Sequence, residues 1–260
     1  MLPAERHRRI STVVERSGTI STESLAEQLG VSAETVRRDL AQMEKQGHLM
    51  RVRGGAAALS VVRGLSGEEA SFTERSASQQ QAKTAIGRAA ADLVRSGMTV
   101  VIDVGTTALQ VACALAPDFR GTVATPSLLV AAELSTRPHV DVLIPGGRIR
   151  GGDLVCSGPL TVDFFNGLYA DMAFLGSGGV DSSAGMTDFH FEENATKRAI
   201  LARSALSYVL ADGSKLGRVA PHRVCGFEDC TGLITDQAPE PPLASVIEQS
   251  GAVVISAGHS

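Results

Sequence analysis

Residues 32–55 read S-A-E-T-V-R-R-D-L-A-Q-M-E-K-Q-G-H-L-M-R-V-R-G-G, and the way this stretch distributes apolar and polar side chains decides the front of the fold. Ser32 has the side chain of an N-cap, an oxygen suited to an unpaired amide at the start of a helix, and Glu34 falls in the positive first turn. Val36, Leu40 and Met43 recur at i, i+4 and i+7 as a buried stripe, and Gly47 stops the helix. At about 100° per residue from Val36, the opposite face carries Glu34, Arg38 and Ala41, flanked by Thr35 and Gln42 on one side and Arg37 on the other. His48 to Arg53 then alternates as a strand with Leu49, Arg51 and Arg53 on one face, and Gly54-Gly55 ends it.

Upstream, Ile10, Val13 and Val14 recur at helical spacing between Pro3 and Gly18. Ser21 or Thr22 caps a second helix running to Leu29, whose face is Leu25, Ala26 and Leu29 and whose terminator is Gly30. Two helices joined by a tight glycine-containing turn have helix-turn-helix geometry, with the second helix entering the major groove of DNA. On that helix Arg38 suits bidentate contact with guanine and Gln42 with adenine, while Ser32, Thr35 and Arg37 suit phosphates or base edges. Arg51 and Arg53 belong to a wing that sits on the minor groove or its phosphates. A lone Arg-Arg pair on an amphipathic helix is ordinarily a solvated face. The conjunction with caps, turn and basic hairpin favours a DNA reader. Charge agrees, since residues 1–60 carry a net +2 while the whole chain carries -4.

Over 260 residues the chain is 43% hydrophobic and 20% charged, with 27 Gly and 10 Pro, a composition that excludes disordered and collagen-like classes. No apolar run reaches membrane-spanning length and no secretory signal follows Arg6, Arg8 and Arg9, so a cytoplasmic protein without membrane association is expected. Cys113, Cys156, Cys225 and Cys230 are expected to be reduced. His222, Cys225 and Cys230 lack a fourth ligand and metal spacing, so neither a metal nor a cofactor is expected.

Residues 1–57 are thus a winged helix-turn-helix domain, and 81–260 a second domain. Between them, 58–80 is a linker of little periodicity in which Phe72 and Arg75 can dock on the second domain. In that domain helices and strands alternate, the pattern of a Rossmann-like, mainly parallel α/β sheet. Strands are predicted at Thr99–Asp103, Thr122–Thr125, Val140–Ile144, Met172–Gly176, Tyr208–Asp212, Gly232–Thr235 and Ala252–Ser256. Helices are predicted at 83–96, 108–116, 127–135, 192–206 and 242–250, and 146–170 is an inserted hairpin or dimerisation element. Ligands of open α/β sheets bind beyond the carboxyl ends of the strands, and the residues there are D-V-G-T-T, T-P-S, P-G-G-R, G-S-G-G and D-G-S-K-L-G. Gly105, Thr106 and Thr107 at a helix start suit a phosphate, with Lys215 as counter-charge. No dinucleotide or Walker glycine pattern is present. Further along, Asp188, His190, Glu193 and Lys197 lie close in sequence. Glu193 and Lys197 make either a surface i, i+4 salt bridge or a subsite for sugar hydroxyls.

With these motifs assembled, the chain resembles the DeoR family of bacterial transcriptional regulators over nearly its whole length. The resemblance rests on S-A-E-T-V-R-R-D-L and R-V-R-G-G-A in front, then D-V-G-T-T, T-P-S, P-G-G, F-L-G-S-G-G, E-E-N-A-T-K-R and L-A-D-G-S-K-L-G in the family's order. Pro126 departs from it, standing where the family usually has asparagine. The resemblance implies an effector-sensing domain related to sugar-phosphate isomerases, with ligand positions at Lys83, Asp103, Gly105, Thr106, Thr107, Thr125, Ser127, Gly146, Gly147, Gly178, Glu193, Asp212 and Lys215. The expected function is a repressor of a carbohydrate operon, binding double-stranded operator DNA as a dimer or tetramer and released by a phosphorylated sugar. The alternative is a phosphosugar isomerase-like enzyme fused to a DNA-binding module, with Asp103, Asp188, Glu193 and Lys215 supplying acid, base and electrophile.

Overall fold

A computed structural model describes residues 2–58 and 69–258. The chain divides into two compact units, Met1–Ala70 and Ser71–Ser260.

In the first unit, α1 (Pro3–Ser17) ends at Gly18, and the short strand β1 (Thr19–Ser21) leads directly into α2 (Thr22–Leu29). The Ser21 side chain accepts from the Ser24 amide, and after Gly30 the Ser32 side chain accepts from Thr35 at the start of α3 (Ala33–Lys45). Strands β2 (Met50–Val52) and β3 (Gly55–Ala57) form a hairpin, and β3 lies between β1 and β2 in an antiparallel sheet. Ile10 and Val14, Leu25 and Leu29, Val36, Leu40 and Met43, and Leu49 with Ala56 and Ala58 share one core. The three helices and the sheet therefore close on the stripes legible in the sequence.

Two features differ from the sequence expectation. β1 has no period of its own and exists because Ile20 pairs with Ala56. Leu49 does not share a face with Arg51 and Arg53: it is buried just before the strand, while all three residues of β2 are exposed. β2 is the outer strand of a three-stranded sheet, and none of its residues is covered on either face, so no burial imposes alternation.

The second unit is organised by seven strands: β4 (Thr99–Ile102), β5 (Gly121–Ala124), β6 (Val140–Leu143), β9 (Ala170–Gly176), β12 (Ser204–Leu210), β14 (Gly232–Thr235) and β15 (Val253–Ser256). They lie in the order β15-β14-β12-β9-β4-β5-β6, every neighbouring pair parallel. All seven predicted strands are present. Alternate residues face opposite cores. Val100, Ile102, Phe174 and Leu210 pack with Ile86, Val111 and Leu134, whereas Val101, Leu175 and Val209 pack with Phe165, Ile200 and Ile247. Helices α5 (Gln80–Ala91), α6 (Thr106–Ala114) and α7 (Leu128–Leu134) thus cover one face, and α8 (Pro159–Asn166), α9 (Phe191–Ala202) and α10 (Leu243–Gln249) the other. This is a doubly wound α/β sheet, and its strand order reverses between β4 and β9, where such sheets open a crevice at their carboxyl edge.

Three elements complete the unit. The 146–170 stretch contains a hairpin of β7 (Arg148–Arg150) and β8 (Val155–Ser157) followed by α8. A small sheet of β10 (Gly179–Asp181), β11 (Gly185–Asp188) and β13 (His222–Cys225) was not legible in the sequence, because its strands are short and β13 joins the β10–β11 hairpin from some forty residues away. The helix predicted at 192–206 ends at Ala202. Ser204 pairs with Ala170 instead, drawing the residues after Arg203 into β12. Within the stretch read as linker, residues 59–68 lie outside the described residues, and α4 (Phe72–Ala77) occupies its later part, capped by Ser71 and Glu74.

Candidate functional site

On α3 the structure places Arg37, Arg38 and Gln42 in solvent, opposite the buried stripe. Ser32 is exposed at the cap, with its hydroxyl 2.9 Å from that of the half-buried Thr35. Among the described residues the partners of Arg37 are loose, Glu34 at 3.3 Å and Glu23 at 3.8 Å, with more than half of each side chain exposed. Such pairs hold a charge weakly, so Arg37 can exchange a carboxylate for a phosphate at little cost. Arg51 and Arg53 are exposed on the hairpin, and the Arg51 amide donates to Glu44 Oε1 at 2.9 Å, tying the wing to α3.

Sequence reasoning missed Asp39, whose position beside Val36, Leu40 and Met43 puts a carboxylate on the buried face. It accepts from Arg6 Nη2 at 2.9 Å and lies 3.1 Å from His7 Nε2, clamping α1 to α3. Burial alone pushes its carboxyl up, but the hydrogen bonds and charges of Arg6 and His7 outweigh this and hold it below the usual carboxylate range. The signal in the sequence was a charged residue on an apolar stripe.

In the second unit the predicted ligand residues follow the strand ends. Asp103 comes directly after β4, and its carboxylate accepts from the Gly176 amide at the end of β9 at 3.0 Å, across the switch point. The same carboxylate receives a hydrogen bond from Lys197 Nζ, which also donates to the Gly176 carbonyl at 2.9 Å and lies 3.2 Å from Asp188. Burial would depress the lysine, but Asp103, Asp188 and Glu193 reverse this and hold it firmly cationic. Of the two readings of Glu193 and Lys197, the surface salt bridge is not formed: both side chains are buried, and Lys197 turns to the end of β4. Sequence spacing showed the shared helix face but not that the face lies on the sheet.

Glu193 Oε1 lies 2.6 Å from a guanidinium nitrogen of Arg150, a charge contact outside hydrogen-bond geometry. Burial, and then repulsion from Asp188, raise its carboxyl to about 7 against the pull of Lys197 and Arg150. Arg150 also donates to Asp153 Oδ2 at 2.9 Å. Arg150 was not among the expected ligand positions, and Lys197 was read only as half of a salt bridge or of a subsite for sugar hydroxyls.

The remaining candidates form a cationic edge and its supports. Lys83 on α5 is buried and donates to the Arg75 carbonyl and, at 2.7 Å, to that of Ser78. Burial lowers it to about 8, with Lys215 and Arg75 adding repulsion and Asp212 opposing them. Lys215 donates to the Ser177 carbonyl after β9 at 2.5 Å, and Asp212, after β12, accepts from Ser214. Gly105 opens α6 without a side-chain cap; Thr106 and Thr107 behind it are buried, and the Thr107 hydroxyl has no hydrogen-bond partner among the described residues. A helix N-terminus with a buried, unpartnered hydroxyl is suited to an anion. After β5, Thr125 accepts from the Ser127 amide and Ser127 caps α7. Gly147, at φ 137°, and Gly178 are fixed by packing: a Cβ would meet the Ser157 carbonyl at 2.6 Å or the Phe189 ring at 2.9 Å. Gly146 has open space at that point, and its carbonyl accepts from Thr161.

His222, Cys225 and Cys230 do not converge as metal ligands. His222 meets the Phe191 ring edge to face, Cys225 packs against Met186, and Cys230 donates to the Phe227 carbonyl. Burial raises the thiols to about 12 and about 11. No helix among the described residues is long and apolar enough to cross a membrane.

A basic helix-turn-helix unit with a wing, in one chain with a doubly wound α/β unit carrying an anion-suited edge, defines a class of two-domain DNA-binding regulators. Comparison with known proteins is specific: residues 6–62 match the DeoR-like helix-turn-helix domain and residues 78–237 the DeoR C terminal sensor domain. The chain belongs to the DeoR family of transcriptional regulators. It is 34% identical over 248 residues to the glycerol-3-phosphate regulon repressor of Escherichia coli, covering 95% of each chain. It is also 30% identical to the transcriptional repressor GlcR of Bacillus subtilis, covering 96% of this chain and 95% of that one. These relatives are regulators, not enzymes, so the isomerase alternative is set aside. Among solved structures, ribose 5-phosphate isomerase A of Methanocaldococcus jannaschii matches 54% of this chain and 55% of its own at TM-score 0.40 and 16% identity. A Pyrococcus horikoshii translation initiation factor eIF-2B matches 89% and 86% at TM-score 0.47 and 12% identity. At such scores the fold assignment stands on strand order and the family match.

Proposed function

We propose that this protein represses a carbohydrate or polyol-phosphate operon, holding operator DNA through α3 and the wing and releasing it when a phosphorylated sugar or polyol occupies the carboxyl edge of the sheet. The observation that carries the reading is the combination at that edge of two mutually repelling lysines, Lys83 and Lys215, with an uncapped helix N-terminus and the unpartnered Thr107 hydroxyl. A phosphate relieves that repulsion and gives the hydroxyl and amides an acceptor. Asp103, Asp188 and Glu193 supply acceptors for hydroxyl groups. Both relatives above are repressors, which favours the same direction of control. A dimer or tetramer bound to palindromic or repeated half-sites is part of the proposal.

The test is fluorescence anisotropy of labelled DNA from upstream of the protein's own gene, titrated with the full chain at two salt concentrations, with and without glycerol 3-phosphate and a panel of three-, five- and six-carbon sugar phosphates. Specific binding that one of these compounds weakens is expected. Lys215→Ala and Thr106→Ala should leave operator binding intact and abolish the response. Unchanged ligand affinity of both variants by calorimetry would count against the site.

A further inference from the structure

The short helix α4 has no fully buried residue, so its position rests on polar contacts rather than on a core. From one side, the Arg75 guanidinium donates to Asp153 Oδ2 at 2.7 Å, and both side chains are more than four-fifths buried. From the other, Lys83 donates to the backbone carbonyls of Arg75 and Ser78, at the end of the helix. Both anchors lead into the sensor site. Lys83 belongs to its cationic edge, and Asp153 shares the oxygen that holds Arg75 with Arg150, which lies against Glu193. The second unit begins at Ser71, so α4 is its first helix after the DNA-binding unit along the chain.

We propose that α4 reports occupancy of the sensor site, with Arg75 and Asp153 as positioning residues that hold it in the operator-binding arrangement until ligand arrives. The inference rests on the function proposed above and names its transmission. A phosphate is a stronger acceptor than a peptide carbonyl, so a ligand that takes hydrogen bonds from Lys83 draws it away from the Arg75 and Ser78 carbonyls. A ligand hydroxyl that engages Glu193 or Arg150 disturbs Arg150, and through it the oxygen of Asp153 that Arg75 uses. With both anchors weakened, α4 keeps no fully buried residue to hold it in place. Site occupancy thereby reaches the segment covalently joined to the DNA-binding unit.

Asp153→Asn should imitate ligand. In the full chain, without any ligand, it is expected to weaken binding to the upstream DNA roughly tenfold, within the usual range of coupling between sites. Asp153→Glu, which keeps the carboxylate, should stay within about twofold of wild type on the same scale. Amide exchange over residues 72–79 should quicken in the Asn variant alone, at unchanged melting temperature. Wild-type operator affinity in both variants would overturn the inference and leave the proposed function standing. Weakened binding in both, with a lowered melting temperature, would also overturn it by reducing Asp153 to a structural role. A wild type that binds no upstream DNA specifically, or responds to no phosphorylated compound in the panel, would overturn the proposed function and this inference with it.

Discussion

The two units use charged side chains in opposite settings. On α3, Arg37 and Arg38 stand in solvent, and the partners of Arg37 are as exposed as it is. In the second unit Lys197 is 1% exposed and wedged between Asp103 and Asp188. An exposed guanidinium already solvated by water gives up little on meeting a phosphate, which suits a surface that must bind and let go. A buried ammonium is tolerable only while its carboxylates surround it, which suits a site whose geometry must not drift. Asp39 joins the two strategies: buried beneath the exposed basic face, it fixes the helix from which Arg37 and Arg38 project.

The strongest way to break this contrast is Lys197→Met. It leaves Asp103, Asp188 and Glu193 facing one another without their cation, and about 3–5 kcal/mol of stability should be lost from the second unit. Urea denaturation followed by circular dichroism measures it, and a loss no larger than that of a surface substitution would mean the carboxylates are not held as described. Arg38→Ala should do the opposite, removing about 1–3 kcal/mol of discrimination between operator and scrambled DNA. Competition anisotropy checks this, and the melting temperature should not move. Ser32→Ala sharpens the comparison from the side of the scaffold, since loss of the α3 cap is worth about 1 kcal/mol of folding stability, measurable by thermal denaturation.

The smallest effect expected is a slope with pH. The Glu193 carboxyl titrates at about 7 when folded against about 4.3 for an unperturbed glutamate, so folding takes up a proton between those values. Its contribution to stability is full below the unfolded value, declines as pH rises through the window and is gone above about 7. Glu193→Gln removes the titrating group and should flatten that part of the stability curve, read from urea midpoints across the window. A curve with the same decline in the variant would assign the proton elsewhere. Asp39 works in the other sense: its lowered carboxyl supports the first unit above the ordinary carboxylate range and loses that support as pH falls through its folded value.

Much of the molecule was legible because its signals are local. Ser21 and Ser32 cap helices where their side chains predict it, and Gly18, Gly30 and Gly47 stand just past helix ends. The seven strands announce themselves as short apolar runs between polar, glycine-rich turns. Of the expected site residues, Asp103 and Glu193 share one charge network with Lys197 and Asp188, Lys83, Asp212 and Lys215 share another, and Arg37, Arg38 and Gln42 share one exposed face. What stayed hidden was the identity of partners: Arg150 as the neighbour of Glu193, Asp153 as the acceptor for Arg75, and Arg6 as the anchor of Asp39.

The sequence by itself determined the helix caps and stops of the first unit, the seven strands of the main sheet, the exposed basic face of α3 and the family, all of which depend on spacings of a few residues and on the preferences of single side chains. Only the tertiary structure decided that β9 lies beside β4, that Lys197 meets Asp103 from 94 positions away, and that β1 and the small three-stranded sheet exist at all. The physical reason is that a capping hydroxyl or an apolar period acts on its own neighbourhood. A buried charge acquires its meaning from whichever distant groups the packed sheet sets around it.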